Sequence, residues 1–310
     1  MKIMTSSLFA VLVVFFSFGR VNAVEKPTVF VSILPQKYFV EQVARDIVNV
    51  EVMVQPGASP ATYEPKASQM KKLAGSLAYY AIGVPFENAW LDKIASINPE
   101  MKVIHTDRGI AKLEMKEHRH EEKQHDDHNH KHEEDHDAHL DKGTHHQHDG
   151  LDPHIWLAPS LVKQQADVIA ETLIDFLPEH ASLLEKNLKI FKKKIDDLDN
   201  ELHLILKDMT GMKFMVFHPS WGYFANEYGL EQVAIEIEGK DPKPAQLASL
   251  IKSAQDQDIH VIFVQPQFSQ KSAQVIAREI KGEVITIDPL AEDWSTNMRV
   301  VAEKFKRALR

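Results

Sequence analysis

The sequence predicts an α/β protein of two lobes, each a mostly parallel sheet flanked by helices, joined by one long linking helix. Short β-branched runs alternate with helix-length segments in both halves of the chain, the pattern of βαβ units on a parallel sheet. Between the halves, Pro178 to Gly211 contains no internal breaker. Its apolar residues Leu184, Leu188, Phe191, Ile195, Leu198, Leu202, Ile205 and Met209 alternate in steps of four and three and paint one helix face. A chain of 310 residues also exceeds what one core of ordinary size holds.

The elements follow in order. Residues 1–23 read as a secretory signal: basic Lys2, an apolar run Leu8–Phe18, then Val21-Asn22-Ala23 as a small-residue cleavage site. That run is too short to cross a bilayer, which takes roughly 20 residues. The N-terminal lobe spans 24–160, with strands at Thr28–Leu34, Val48–Val54, Ala78–Ile82 and Val103–Thr106 and helices at Lys37–Arg45 and Lys66–Leu77. The linker, 161–210, continues a helix that starts with Pro159 in its first turn. Its long helix would measure about 45 Å at 1.5 Å per residue, packed along its own protein rather than pairing as a coiled coil. The C-terminal lobe, 211–310, has strands at Lys213–Phe217, Gln232–Ile237, Val261–Gln265 and Glu283–Ile287. Its helices are Ala245–Gln257, Gln270–Lys281 and Trp294–Leu309.

Composition removes several chemistries. The chain has no cysteine, which excludes disulfides, thiolate zinc sites, iron–sulfur clusters and a lipid-modified N-terminal cysteine. The formal charge of −9 would fall further on loss of Lys2 and Arg20. That argues against a nucleic-acid partner, which needs a basic face, and suits cations. Export without a lipid anchor points to a periplasm.

Residues 114–150 interrupt the βα pattern as a loop read as disordered. Of the 17 histidines in the chain, eleven stand here: His118, His120, His125, His128, His130, His132, His136, His139, His145, His146 and His148. Aspartate and glutamate fill the gaps. Imidazole is the commonest protein ligand for divalent transition metals, so the tract reads as a low-affinity metal-collecting loop.

Three less conspicuous residues are candidate ligands of a selective site. His154 lies in DPHIWLAP, between the tract and a helix. His218 and Asp288 each follow a predicted strand, in FMVFHPSWGYF and VITIDPLA. Open α/β sheets bind ligands at the carboxyl ends of their strands. Taken singly, a histidine after a strand is commonly structural and an Asp-Pro is commonly a turn.

Several motifs together carry a family resemblance: VSILPQKYFV, PGASPATYEP at 56–65, DPHIWLAP at 152–159, FHPSWGYFANEYGL at 217–230, EGKDPKPAQL at 238–247 and IDPLAEDW at 287–294. The chain resembles the periplasmic metal-binding proteins of zinc and manganese ABC importers, the ZnuA-like cluster A-I group. The resemblance spans the mature chain, and the histidine-rich acidic loop is similar to that of the zinc-specific branch.

The resemblance implies a metal held between the lobes by His154, His218, Asp288 and a histidine of the PGxxPHxYEP loop. This chain has Ala61 at that last position. Three fillers are open: Glu64 in the same loop, water, or a tract histidine such as His145, His146 or His148. Two imidazoles and a carboxylate suit Zn²⁺, with Mn²⁺ allowed. The expected function is a monomeric, non-enzymatic solute-binding protein that hands zinc to an inner-membrane ABC permease. A stand-alone metal buffer or chaperone, and a zinc hydrolase using an open His-His-Asp site, are the alternatives.

Overall fold

A computed structural model describes residues 26–115, 150–237 and 240–309. The expected signal segment and most of the histidine tract, 116–149, lie outside these described residues. Eight four-residue strands form two parallel four-stranded sheets. In the first lobe the order is β2-β1-β3-β4, from Thr28–Val31 (β1), Asn49–Val52 (β2), Ala78–Ala81 (β3) and Lys102–His105 (β4). In the second it is β6-β5-β7-β8, from Lys213–Val216 (β5), Glu231–Ala234 (β6), Val261–Val264 (β7) and Glu283–Thr286 (β8). Each order turns back beside its first strand, so the carboxyl ends of β1/β3 and of β5/β7 frame a crevice.

Helices α1 (Leu34–Ala44), α2 (Ala67–Leu73) and α3 (Pro85–Ile97) serve the first lobe. α1 begins three residues before the sequence reading put it. The chain leaves β1 sharply, and the Gln36 carboxamide ties the corner: it accepts from Ser32 N at 3.0 Å and donates to Thr106 Oγ1 at 3.1 Å. α3 was not expected. Its Pro85 is pre-set for a first helical turn, and Phe86, Trp90 and Ile94 recur at helical spacing behind the breaker-like Gly-Val-Pro.

The linker is α4 (Pro159–Phe176), a 3-10 turn at Pro178–His180, then α5 (Ala181–Leu206). At 26 residues, α5 is about 39 Å long, shorter than the expected 45 Å because the chain bends at His180 and ends before Met209. Its stripe packs on α4, on α1 and on the last helix, α9 (Trp294–Ala308). Asn187 joins this face and donates to Val43 O at 2.9 Å. One apolar core therefore runs from the first sheet, through α1, α4 and α5, to the inner face of the second sheet. On the outer face of the second sheet, α7 (Pro244–Asp256) and α8 (Lys271–Glu279) bury a separate cluster. The short helix α6 (Gly222–Tyr228), also unexpected, packs on β6 and α5.

The lobes are stitched directly. Trp156 Nε1 donates to Pro289 O, and Trp294 Nε1 donates to Trp156 O, each at 2.7 Å and fully buried. Tyr223 Oη donates to Asp152 O at 2.8 Å. Among the described residues, no helix is long and apolar enough to cross a membrane.

Candidate metal centre between the lobes

The carboxyl ends of all four strands of the second sheet carry polar residues that face or border the crevice. His218 stands two residues past β5, Glu236 two past β6, Gln265 and Gln267 just past β7, and Asp288 two past β8. His154 faces His218 from the loop before α4, with ring centroids 5.1 Å apart and planes at 70°. Both histidines line a cavity of about 50 Å³, with Ser59, Pro60, Ala61 and Val84 on one side and Trp156, Gln267, Phe268 and Leu290 on others.

Each imidazole is held by a carboxylate. Asp152 Oδ1 lies 2.6 Å from His154 Nδ1 and also accepts from His154 N at 2.8 Å. Glu236 Oε1 lies 2.7 Å from His218 Nδ1. A carboxylate can only accept, so each Nδ1 carries a proton and Nε2 is the nitrogen left to ligate a metal. This carboxylate–imidazole pair is the support that metal-ligating histidines ordinarily have. Asp152 is 2 % exposed and Glu236 6 %. The fit around Asp152 is close: a Cβ on Gly222 would come within 2.7 Å of its Oδ2, so only glycine fits there. Burial holds the His154 pKa below the ordinary histidine value, although Asp152 pulls the other way. His154 is therefore neutral at pH 7 and need not lose a proton to bind a metal.

His218 is fixed by its backbone as well. Its N–H donates to Gln265 Oε1 at 3.3 Å and its carbonyl accepts from Gln265 Nε2 at 2.6 Å. The Phe268 ring stacks on its imidazole at 5.1 Å.

The structure brings two of the expected residues together. Asp288 borders an adjoining hollow, separated from the histidine cavity by Gln267 and Leu290, which line both. Its Oδ1 accepts from Leu290 N at 2.9 Å and from Gln267 Nε2 at 3.1 Å. Glu64 is exposed and lines neither space. Its neighbour Tyr63 turns inward to donate to Gln69 Oε1 at 2.6 Å, which sends the next side chain outward. Among the described residues, no three His, Asp or Glu side chains converge into one ligand set. The eleven tract histidines lie within 116–149 and outside the described residues.

The tract leaves and re-enters at one point. Glu114 pairs with Leu151 in an antiparallel bridge, and Met115, at the root of the tract, lines the histidine cavity. Sequence reasoning missed Asp152, Glu236 and Gln267. Asp152 had a local signal, two residues before His154 in DPH. Glu236 had only its place at a strand end.

The chain matches known proteins over most of its length. The family model described as zinc-uptake complex component A, periplasmic (ZnuA) matches residues 29–308. The chain is 27% identical over 267 residues to the high-affinity zinc uptake system protein ZnuA of Yersinia pestis, covering 84% of this chain and 82% of that one. It is 26% identical over 276 residues to the Bacillus subtilis protein of the same name, covering 87% and 81%. A crystal structure of ZnuA superimposes with a TM-score of 0.79 at 38% identity, covering 92% of this chain and all of that one. A ZnuA deletion mutant with zinc bound superimposes at 0.78 and 39% identity, covering 92% and 98%.

Proposed function

Starting from a chain that belongs to the ZnuA family of zinc-uptake components, we propose that this protein captures Zn²⁺ in the periplasm and delivers it to an ABC permease in the inner membrane. The observation that carries the reading is the pair of imidazoles, one from each lobe, each with its Nδ1 held by a buried carboxylate and both on one small cavity. Two imidazole nitrogens favour zinc over the harder Mn²⁺, which prefers oxygen ligands. Manganese remains the second candidate cargo.

In this reading His154 and His218 bind through Nε2. Asp288 is the proposed carboxylate ligand, and it would bind through Oδ2 while its Oδ1 keeps Leu290 N–H and the Gln267 amide. Glu64, on the solvent side of its loop, is a candidate only through movement of that loop. The rigid stitching by Trp156 and Trp294 supports capture with small local shifts rather than wide closure of the lobes.

The histidine tract serves as a low-affinity antenna. Its roots meet where Met115 N donates to Gly150 O, and Met115 lines the cavity, so zinc held anywhere along it is concentrated beside His154 by tethering. The protein is not an enzyme in this account. Hydrolysis would need a free general base beside the metal, whereas Asp152 and Glu236 are engaged on Nδ1 and Glu64 faces solvent.

The test is zinc titration of the full chain, of His218→Ala and of a chain lacking 116–149. The account expects one tight site that disappears in His218→Ala and survives the deletion, with the weaker sites following the tract. Tight binding that persists in His218→Ala and vanishes with the tract would refute it.

A further inference from the structure

Zinc in proteins takes four ligands in a tetrahedron, and the cavity offers two imidazole nitrogens. Asp152 and Glu236 are engaged on the two Nδ1 atoms, and Asp288, whose Oδ1 already accepts from Leu290 N–H and the Gln267 amide, is the proposed third ligand, which leaves one position open. Ser59, Pro60 and Ala61 also line the cavity, and Ala61, which is exposed, brings only a methyl group to it. Gln267 adds a further sign. Its Nε2 donates to a carboxylate that can only accept, which fixes the amide orientation. Its Oε1 is then buried with no donor among the described residues, although the side chain lines the cavity.

We propose that the cargo enters this site as a zinc ion already carrying one small ligand of the imidazole class, such as free imidazole or histidine, which occupies the space over Ala61. This deepens the zinc-capture reading and rests on it. The chemistry selects imidazole over other small donors. A neutral ring lies without cost against a wall built largely of Pro60, Ala61, Val84, Pro85, Trp156 and Phe268. A carboxylate would press its second oxygen against the same apolar surface without a partner. Imidazole also bears an N–H away from its ligating nitrogen, which suits the unpartnered Gln267 oxygen, whereas a carboxylate has none. The ring need not be enclosed by the 50 Å³ cavity, because Ala61 is exposed.

The experiment is a chelator-competition titration of the full chain with zinc at pH 7.5, in rising imidazole, corrected for zinc–imidazole association in solution. Ala61→His is titrated in parallel, and the Co²⁺-loaded forms are followed by their d–d spectra. The proposal expects imidazole to tighten zinc binding by about tenfold or more, the scale of one supporting group at a metal site, and to shift the Co²⁺ spectrum. Ala61→His should reach the tightened affinity without imidazole and stop responding to it. Tight zinc binding by the natural chain that ignores imidazole overturns the proposal and leaves zinc capture standing. Failure of both proteins to bind zinc under any condition removes zinc capture itself and the proposal with it. If only the chain lacking 116–149 responds to imidazole, the donor is one of the protein's own histidines and the small-molecule ligand is overturned.

Discussion

Glu236 gives the sharpest single perturbation, because it touches the proposed site only through another residue. Its Oε1 holds His218 Nδ1 at 2.7 Å while the imidazole itself is 19 % exposed and the carboxylate 6 %. In Glu236→Gln the side-chain carbonyl still accepts from Nδ1, so orientation survives and only the charge is lost. A charge-assisted hydrogen bond is about twice as strong as a neutral one, and supporting groups of this kind are worth roughly 10- to 100-fold in metal affinity. The amide should therefore cost about tenfold, near 1.4 kcal/mol. In Glu236→Ala the Nδ1–H loses its partner and the ring is free to present either nitrogen. That variant should fall toward the hundredfold end, about 2.7 kcal/mol. The assay is chelator competition at pH 7.5, with the tautomer of His218 in the zinc-free protein read from its ¹⁵N shifts. Glu236→Gln should keep the Nδ1–H form and Glu236→Ala should lose it. Zinc affinity and tautomer both unchanged in Glu236→Ala would refute the assignment.

Further outcomes follow from other parts of the molecule. Buried Glu87 accepts from Ile82 N, Gly83 N and the Ser32 hydroxyl, yet burial raises its pKa to about 7. Its stabilising contribution is present below the unfolded value near 4.5 and is lost as pH rises through about 7. Between pH 5.5 and 8.5 the natural chain should lose about 2 kcal/mol relative to Glu87→Gln, at 1.36 kcal/mol per unit; equal losses in urea unfolding would disprove this. For His154 the folded pKa is lowered, so metal-free stability should fall as pH drops below about 6.5. His154→Gln should show a shallower fall. Trp294→Phe removes the N–H bonded to the buried Trp156 carbonyl and should cost about 1–3 kcal/mol in unfolding free energy. Glu64→Ala should leave zinc affinity within twofold or so, whereas Asp288→Ala should weaken it by roughly tenfold or more.

The sheets were legible because each strand lies in a short apolar run rich in β-branched or aromatic residues, and all eight appear near their expected positions. The breaker-free stretch before Gly211 likewise announced α5 through its periodicity. Helices α3 and α6 were harder to see. In α3 the Gly-Val-Pro before Phe86 looks like a loop until Pro85 is read as a first-turn residue. In α6 the helix is only seven residues and hides inside an aromatic motif.

At the site, His154 and His218 could be named from the DPHIWLAP and FHPSWGYF motifs and from the rule that open α/β sheets bind ligands at strand ends. Their supports could not, because which carboxylate meets Nδ1 depends on packing between β5 and β6 and beneath Gly222. Sequence proximity also misplaces attention. Glu64 is three residues from Ala61, but inward Tyr63 and Pro65 alternate with it and leave it on the solvent side. Asp288 carries the turn role on one oxygen, since its Oδ1 accepts from Leu290 N–H.

The central claim is that one zinc ion is held between the lobes by His154 and His218. Anomalous diffraction at the zinc edge on crystals of the zinc-loaded full chain tests it most directly. The account predicts a single strong peak about 2.0–2.1 Å from Nε2 of both residues, with Asp152 and Glu236 still on their Nδ1 atoms. A peak bound to neither imidazole, with the cavity between them filled by solvent alone, would contradict it.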